Sequence, residues 1–233
     1  MQRLLEAFHE RDANVVLTDG TQRPLAAFLV PAVLLMTAAL LVIVSAFMPY
    51  WSMALHAPQY PQGLRVNVFV DHLDGDVGEI DELNHYLGLA SLDSGGQVER
   101  ALAWPTLLVL AALLSGRVFL HGRWADLLAV PTLAFPLLFL GDLWFILYRF
   151  GHSVDPTSAL GGAVGPFTPP LFGAGHIGQF SSTASAGPGL FLCIAASALA
   201  ILAVWRMRIA FRVGPPVRTR LARKRLQRVE ARR

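Results

Sequence analysis

The chain has 233 residues and a formal net charge of +3, with 54% hydrophobic residues, only 15% charged residues and a mean hydropathy of +0.50. This apolar content exceeds that of an average soluble domain. It is gathered into four long blocks nearly free of charge, which is the pattern of membrane spans. The single cysteine, Cys193, excludes a disulfide framework or a cysteine-based metal site within one chain.

Charge is as unevenly placed as hydrophobicity. From Arg206 onward eleven Lys/Arg face one acid, Glu230, so the tail carries +10 and the remainder −7. A basic tail directly after an apolar span reads as an anchor to anionic lipid head groups, at roughly 1 kcal/mol per basic residue near the surface. Nucleic acid is not the expected partner.

Residues 1–24 are polar, with Leu4, Leu5 and Phe8 at helical spacing, which predicts a short surface helix. The apolar run 25–48 follows. A secretory signal has an apolar core of about 7–15 residues; this run is longer and ends in Phe47-Met48-Pro49-Tyr50-Trp51, so it is read as a retained span. The second span is 102–120, with Trp104 near one interface and Arg117 near the other, where its stem can snorkel. A short turn, 121–126, leads to a third span at 127–148, in which Pro131 and Pro136 predict kinks. The fourth span is 188–205, followed by the basic tail 206–233. Ala196, Ala200 and Ala203 line one face of it, and Ala112 with Gly116 give the second span a small-residue pair, so these two spans are expected to pack directly.

The segment 1–24, the 117–126 turn and the tail hold 3, 2 and 11 Lys/Arg, whereas 49–101 and 149–187 hold 2 and 1. Basic residues accumulate on the cytoplasmic side. Both termini are therefore expected in the cytoplasm of a bacterium, with a multi-pass chain in its inner membrane and the two long connections facing the periplasm or exterior. Leu64, Val66, Val68 and Val70 alternate with Arg65, Asn67 and Phe69, a strand pattern. Ile80, Leu83, Leu87 and Ala90 fit one helix face, entered after Gly78 and closed near Gly88. The expected fold is thus an all-α integral membrane protein of four transmembrane helices. A small ordered extracytoplasmic α/β cap stands at 49–101, and a Gly/Pro-rich loop at 149–187 lies at the membrane surface or under the cap.

Three constellations carry candidate chemistry. Met48, Met53, His56, His72 and His85 combine thioether and imidazole, the ligand set that suits copper. At helical spacing Met53 and His56 would share one face; the competing reading makes the methionines packing residues and the histidines hydrogen-bonded loop groups. Asp142 lies inside the third span, where a carboxylate is costly, with Arg149 one helical face along; it either handles protons or ions or serves as a structural cap. Asp71, Asp74, Asp76, Glu79, Asp81 and Glu82 form an acidic stretch without the register of a calcium loop, read as a solvated face that steers a basic partner. Walker A, GxGxxG, GxSxG and HExxH motifs are missing from the sequence, and no nucleophile with its base can be assembled, so an enzyme is not expected.

Pro49–Trp51, the box Ala57–Leu64 (APQYPQGL), the box Leu83–Gly88 (LNHYLG) and Pro166–Gly173 (PFTPPLFG) resemble a pattern in four-span bacterial membrane proteins encoded among the accessory genes of nitrous oxide reductase, the family often called NosB-like. The resemblance covers residues 47–90 and part of 166–180; the basic tail does not belong to it. It implies an accessory role in denitrification, in the maturation or support of a periplasmic copper enzyme. The leading expectation is a non-enzymatic membrane protein whose cap docks such a partner or helps deliver copper or electrons. His56, His85 and Met53 would be the ligands, and Tyr60 and Tyr86 the docking aromatics. A structural subunit of a larger membrane complex, and a small transporter using Asp142, are the alternatives.

Overall fold

Four helices are long and apolar enough to cross a membrane, with mean hydropathies from 1.7 to 2.6 over their most apolar stretches. They belong to a computed structural model that describes residues 14–16, 22–24, 26–120, 124–158, 162, 165–177 and 180–212. The expected helix around Leu4–Phe8 and the tail beyond residue 212 lie outside the described residues. Ahead of the first span, β1 (Asn14–Val16) and β2 (Gln22–Pro24) pair antiparallel. The spanning helices are α1 (Ala26–Ser45), α3 (Gln97–Phe119), α4 (Val130–His152, led in by a 3-10 turn at Ala125–Ala129) and α5 (Pro188–Arg212). Their outward faces carry Leu40, Leu108, Leu137 and Phe191, each more than half exposed. Such a surface is stable in lipid and costly in water.

The bundle is arranged as α3–α1–α5–α4, with α1 and α5 making the most extensive contact. Ala38, Val42 and Ser45 of α1 and Ala196, Ala200 and Ala203 of α5 are completely buried. Small side chains let the two backbones approach and gain dispersion contacts where lipid supplies no hydrophobic drive. This corrects the expected pairing of the second and fourth spans: the small face of α5 meets α1, which has small residues of its own at Ala38, Ala39 and Ser45. Leu107, Leu110 and Leu114 of α3 belong to the same buried core, whereas Ala112 is exposed and open space surrounds Gly116. Pro131 stands in the first turn of α4, where a missing N–H costs nothing, so only Pro136 falls inside that helix.

At the end of the bundle where α1 begins, Arg117 turns inward instead of snorkelling. Its side chain is 3% exposed, donates to the Leu120 carbonyl and meets Asp126 Oδ1 at 2.8 Å, while Arg208 Nε reaches Asp126 Oδ2 at 2.8 Å. One carboxylate thus ties α3, the 3-10 turn and α5 together. A buried guanidinium needs that partner more than it needs water.

The other end carries the cap. The chain leaves α1 through Pro49 and Tyr50 into β3 (Trp51–Ala57), β4 (Tyr60–Val68) and β5 (Leu73–Gly75), then into helix α2 (Val77–Leu87). β6 (Gly173–Ile177) and β7 (Phe180–Ala186) come from the connection between α4 and α5. All five cap strands form one antiparallel sheet in the order β5-β4-β3-β7-β6. The second half of the Gly/Pro-rich connection is not a loop but completes the cap. GAGHI and FSSTASA carry few β-branched or aromatic residues, so their own strand preference is weak, and pairing along β3 supplies what propensity lacks. Because β3 and β7 are hydrogen-bonded neighbours, both long connections lie at the same end, and the start of α1, the α3–α4 connection and the end of α5 lie at the other.

Removing the shared carboxylate should be expensive. Asp126→Ala leaves Arg117 buried without its counter-charge and is expected to cost about 3 kcal/mol in a denaturant titration in mixed micelles. The double variant Arg117→Met/Asp126→Asn should recover most of that loss.

Candidate functional site

The cap is tied to the bundle through backbone and side-chain bonds that begin at the span exit. Tyr50 is fully buried; its hydroxyl lies 2.6 Å from Ser45 Oγ, its N–H donates to Val68, and its carbonyl accepts from Gly187. Phe139 of α4 packs 4.8 Å from its ring. Next to it, Trp51 points into the cap and its indole N–H donates to the Leu171 carbonyl at 2.6 Å. Gly187 makes this junction possible: a Cβ there would collide with the Pro49 carbonyl. On the far edge, Trp104 Nε1 of α3 donates to Asp71 Oδ2 at 2.8 Å, and His72 Nδ1 donates to Asp71 Oδ1 at 2.6 Å. Partial burial opposes ionisation of Asp71, but these hydrogen bonds outweigh it and hold the carboxyl below its ordinary range.

The two sequence boxes of the cap are folding devices. In APQYPQGL, Ala57 pairs with Tyr60 across a tight turn at Pro58-Gln59, and the ring of His56 lies over Gly63. In LNHYLGL, Gly88 adopts φ +72°, the left-handed conformation that ends α2, and Leu89 N–H closes back on the Asn84 carbonyl at 2.8 Å. Gly88 then accepts from Asp155 N–H, and a side chain at this position would run into Asp155 and Ser158. The acidic stretch divides by role. Asp76 accepts from Arg65 N–H, and Asp81 accepts from Asn84 Nδ2, Ser91 Oγ and Leu92 N–H. Asp74 stays exposed on β5, and Glu79, Glu82, His85 and Tyr86 are exposed on α2, the last 61% exposed.

The candidate ligands are not brought together. Met53 and His56 lie on a strand, where a spacing of three places them on opposite faces: Met53 looks into the space beneath the sheet and His56 is exposed. His72 stacks on Phe69 at 4.3 Å, His85 stands beside Tyr86, and Met48 lies at the exit of α1. Among the described residues no group of three or more His, Cys, Asp or Glu side chains is arranged to hold a metal ion. Tyr60 is half-buried against the small core of Leu64, Val66 and Ile80, which leaves Tyr86 as the exposed aromatic. Asp142 and Arg149 share no ion pair; the Arg149 guanidinium lies 5.9 Å over the Phe145 ring.

No family model matches this chain, and no curated protein matches it either.

Beneath the sheet is a cavity of about 410 Å3, walled by the inner face of β3, β4 and β7, by α2, and by the cap-end halves of α3 and α4. Its lining is almost entirely apolar, including Trp51, Met53, Ile80, Leu83, Phe139 and Leu143, a volume and character within the range of small-molecule sites. Its polar members are Asp142, Glu99, Arg100, Asn84, Thr106 and Ser182. Asp142 stands out in sequence as a lone acid within a span. Glu99 and Ser182 do not: Glu99 resembles an ordinary interfacial charge at a helix start, and Ser182 one of several serines in a low-propensity strand.

Since the carboxyl of Asp71 is lowered in the folded state, its contribution is present above about pH 4 and is lost as pH falls through the depressed value. Hydrogen exchange at residues 69–75, corrected for intrinsic rates, should accelerate on acidification, and Asp71→Asn should abolish that step. Gly88→Ala is expected to destabilise the cap by at least about 1 kcal/mol through the left-handed backbone alone. Gly78→Ala in the same helix, with open space at its Cβ, should stabilise it by about 0.5–1 kcal/mol; thermal melts of the two variants check the contrast.

Proposed function

We propose that this protein is a non-enzymatic accessory protein of a bacterial inner membrane, whose extracytoplasmic cap docks a periplasmic protein. The observation that carries this reading is the outer face of α2. Tyr86 and His85 stand exposed on the same short helix as the exposed Glu79 and Glu82, on a cap tied to the bundle through Asp71 and Trp104. An exposed aromatic group on a helix that also exposes two acids fits a basic patch on a partner: tyrosine supplies contact area at low entropic cost, and the acids steer encounter. The excess of Lys/Arg at the two termini and the α3–α4 turn supports placing the cap outside the cytoplasm. The resemblance in the APQYPQGL and LNHYLG boxes supports a copper-containing redox enzyme as the partner. Between docking and copper delivery the geometry favours docking, because the strand separates Met53 from His56.

A second reading, a structural subunit of a larger membrane assembly, is favoured by the exposed Ala112 and the open space at Gly116 on α3. Such a small-residue face admits a foreign helix closely.

A photo-crosslinking residue at Tyr86 in living cells should capture one periplasmic protein, and Glu79→Lys/Glu82→Lys should weaken that capture several-fold. A cysteine placed at Glu82 should react with a membrane-impermeant maleimide in intact periplasm-accessible cells, while buried Cys193 stays unlabelled. Protection of the Glu82 position, or crosslinks to membrane subunits alone, would overturn docking.

A further inference from the structure

The cavity under the cap reaches the apolar surface of the bundle between α3 and α4. Leu102 of α3 and Leu138 of α4 both line it and are 56% and 66% exposed on the outside of the bundle, on helices that scarcely touch one another. An occupant therefore enters from the cap-side leaflet, between α3 and α4. The wall it meets is apolar save for a few groups, and three of those lack a complement among the described residues. The Ser182 hydroxyl, on a residue only 5% exposed, makes no hydrogen bond. Glu99, exposed at the start of its helix, and the half-buried Asp142 bring two carboxylates to the lining of the same space. The guanidinium in the wall does not neutralise them. Arg100 is turned away to its own loop, donating to the carbonyls of Leu92, Asp93 and Gly95 and pairing with the Asp93 carboxylate at 3.1 Å.

Two like charges facing one apolar space are relieved by a cation placed between them and aggravated by an anion. We propose that the cavity binds a single-chain amphiphile with a cationic, amine-type head. The head sits at Glu99 and Asp142, and the chain lies among Ile80, Leu83, Phe139, Leu143 and Ile146. Ser182 offers one further polar contact elsewhere on the wall. This inference is independent of docking: it concerns the inner face of the cap, whereas docking concerns the outer face of α2.

The test uses the full chain in a non-ionic detergent, titrated with hexadecylamine, hexadecanol and hexadecanoic acid and followed by native mass spectrometry. One hexadecylamine per chain is expected, bound about tenfold more tightly than hexadecanol, with no retained hexadecanoic acid. Glu99→Gln/Asp142→Asn, which conserves side-chain volume, should bring the amine down to the level of the alcohol. Leu83→Trp, which fills the cavity, should abolish both, whereas Leu137→Trp on the lipid-facing surface should change neither. Equal retention of all three compounds, or an amine preference that survives the double carboxylate variant, would overturn the proposal. So would amine binding undiminished in a Leu83→Trp protein whose thermal melt shows a folded cap. Because the carboxylate variant leaves packing intact, it decides the matter even if the tryptophan variant does not fold.

Discussion

The antiparallel pairing of β3 with β7 is the constraint on which the rest of the molecule depends. Trp51 lies opposite Ala186, and the register continues through Met53 with Ala184 to His56 with Ser181. This pairing joins the connection after α1 to the connection before α5, so α1 and α5 are clamped at their cap ends as well as along their buried small-residue faces. Without it, β3–β5 would be a small sheet with an open edge, and the α4–α5 connection would have unsatisfied backbone groups close to the membrane surface. A ladder supplies those partners, and it does so whatever side chains the strand carries.

The pleat of that sheet then sorts chemistry by side. Alternate residues of β3 face opposite ways, so Trp51, Met53 and Leu55 join Val66, Val68 and Ser182 over the cavity, while His56 faces away. A pattern that would concentrate soft ligands on a helix separates them on a strand. The same alternation walls the cavity: the sheet, tied to α3 by Asp71 with Trp104, leaves an apolar space between its inner face and α3 and α4. α3 and α4 lie at the two ends of the helix order and scarcely touch one another.

Polar groups in this protein are spent on geometry more often than on chemistry. Asp126 binds two arginines at one end of the bundle; Asp71, Asp76 and Asp81 tie the corners of the cap at the other. Glu79 and Glu82 are exposed on α2, whereas the exposed Glu99 and the half-buried Asp142 line the cavity. A fully solvated carboxylate gains little from a counter-ion, whereas one partly withdrawn from water, as Asp142 is, gains more.

Much of the architecture was legible in the sequence, because lipid leaves few choices: an apolar run of about twenty residues must be helical to satisfy its own backbone. Helix α2 was legible too, since Ile80 and Leu83 mark its buried face and Gly88 its end, a position where local backbone sterics decide. What only the tertiary structure decided is which elements meet. Nothing local to GAGHI or FSSTASA marks them as strands, and nothing local to Ala196 or Ala112 says which helix each will face; such matches depend on complementary surfaces far away in the chain. The cavity, and the meeting of Glu99, Asp142 and Ser182 around it, follow from those distant pairings. A lone carboxylate in a span is visible from composition, but its neighbours are set by how sheet and helices close over it.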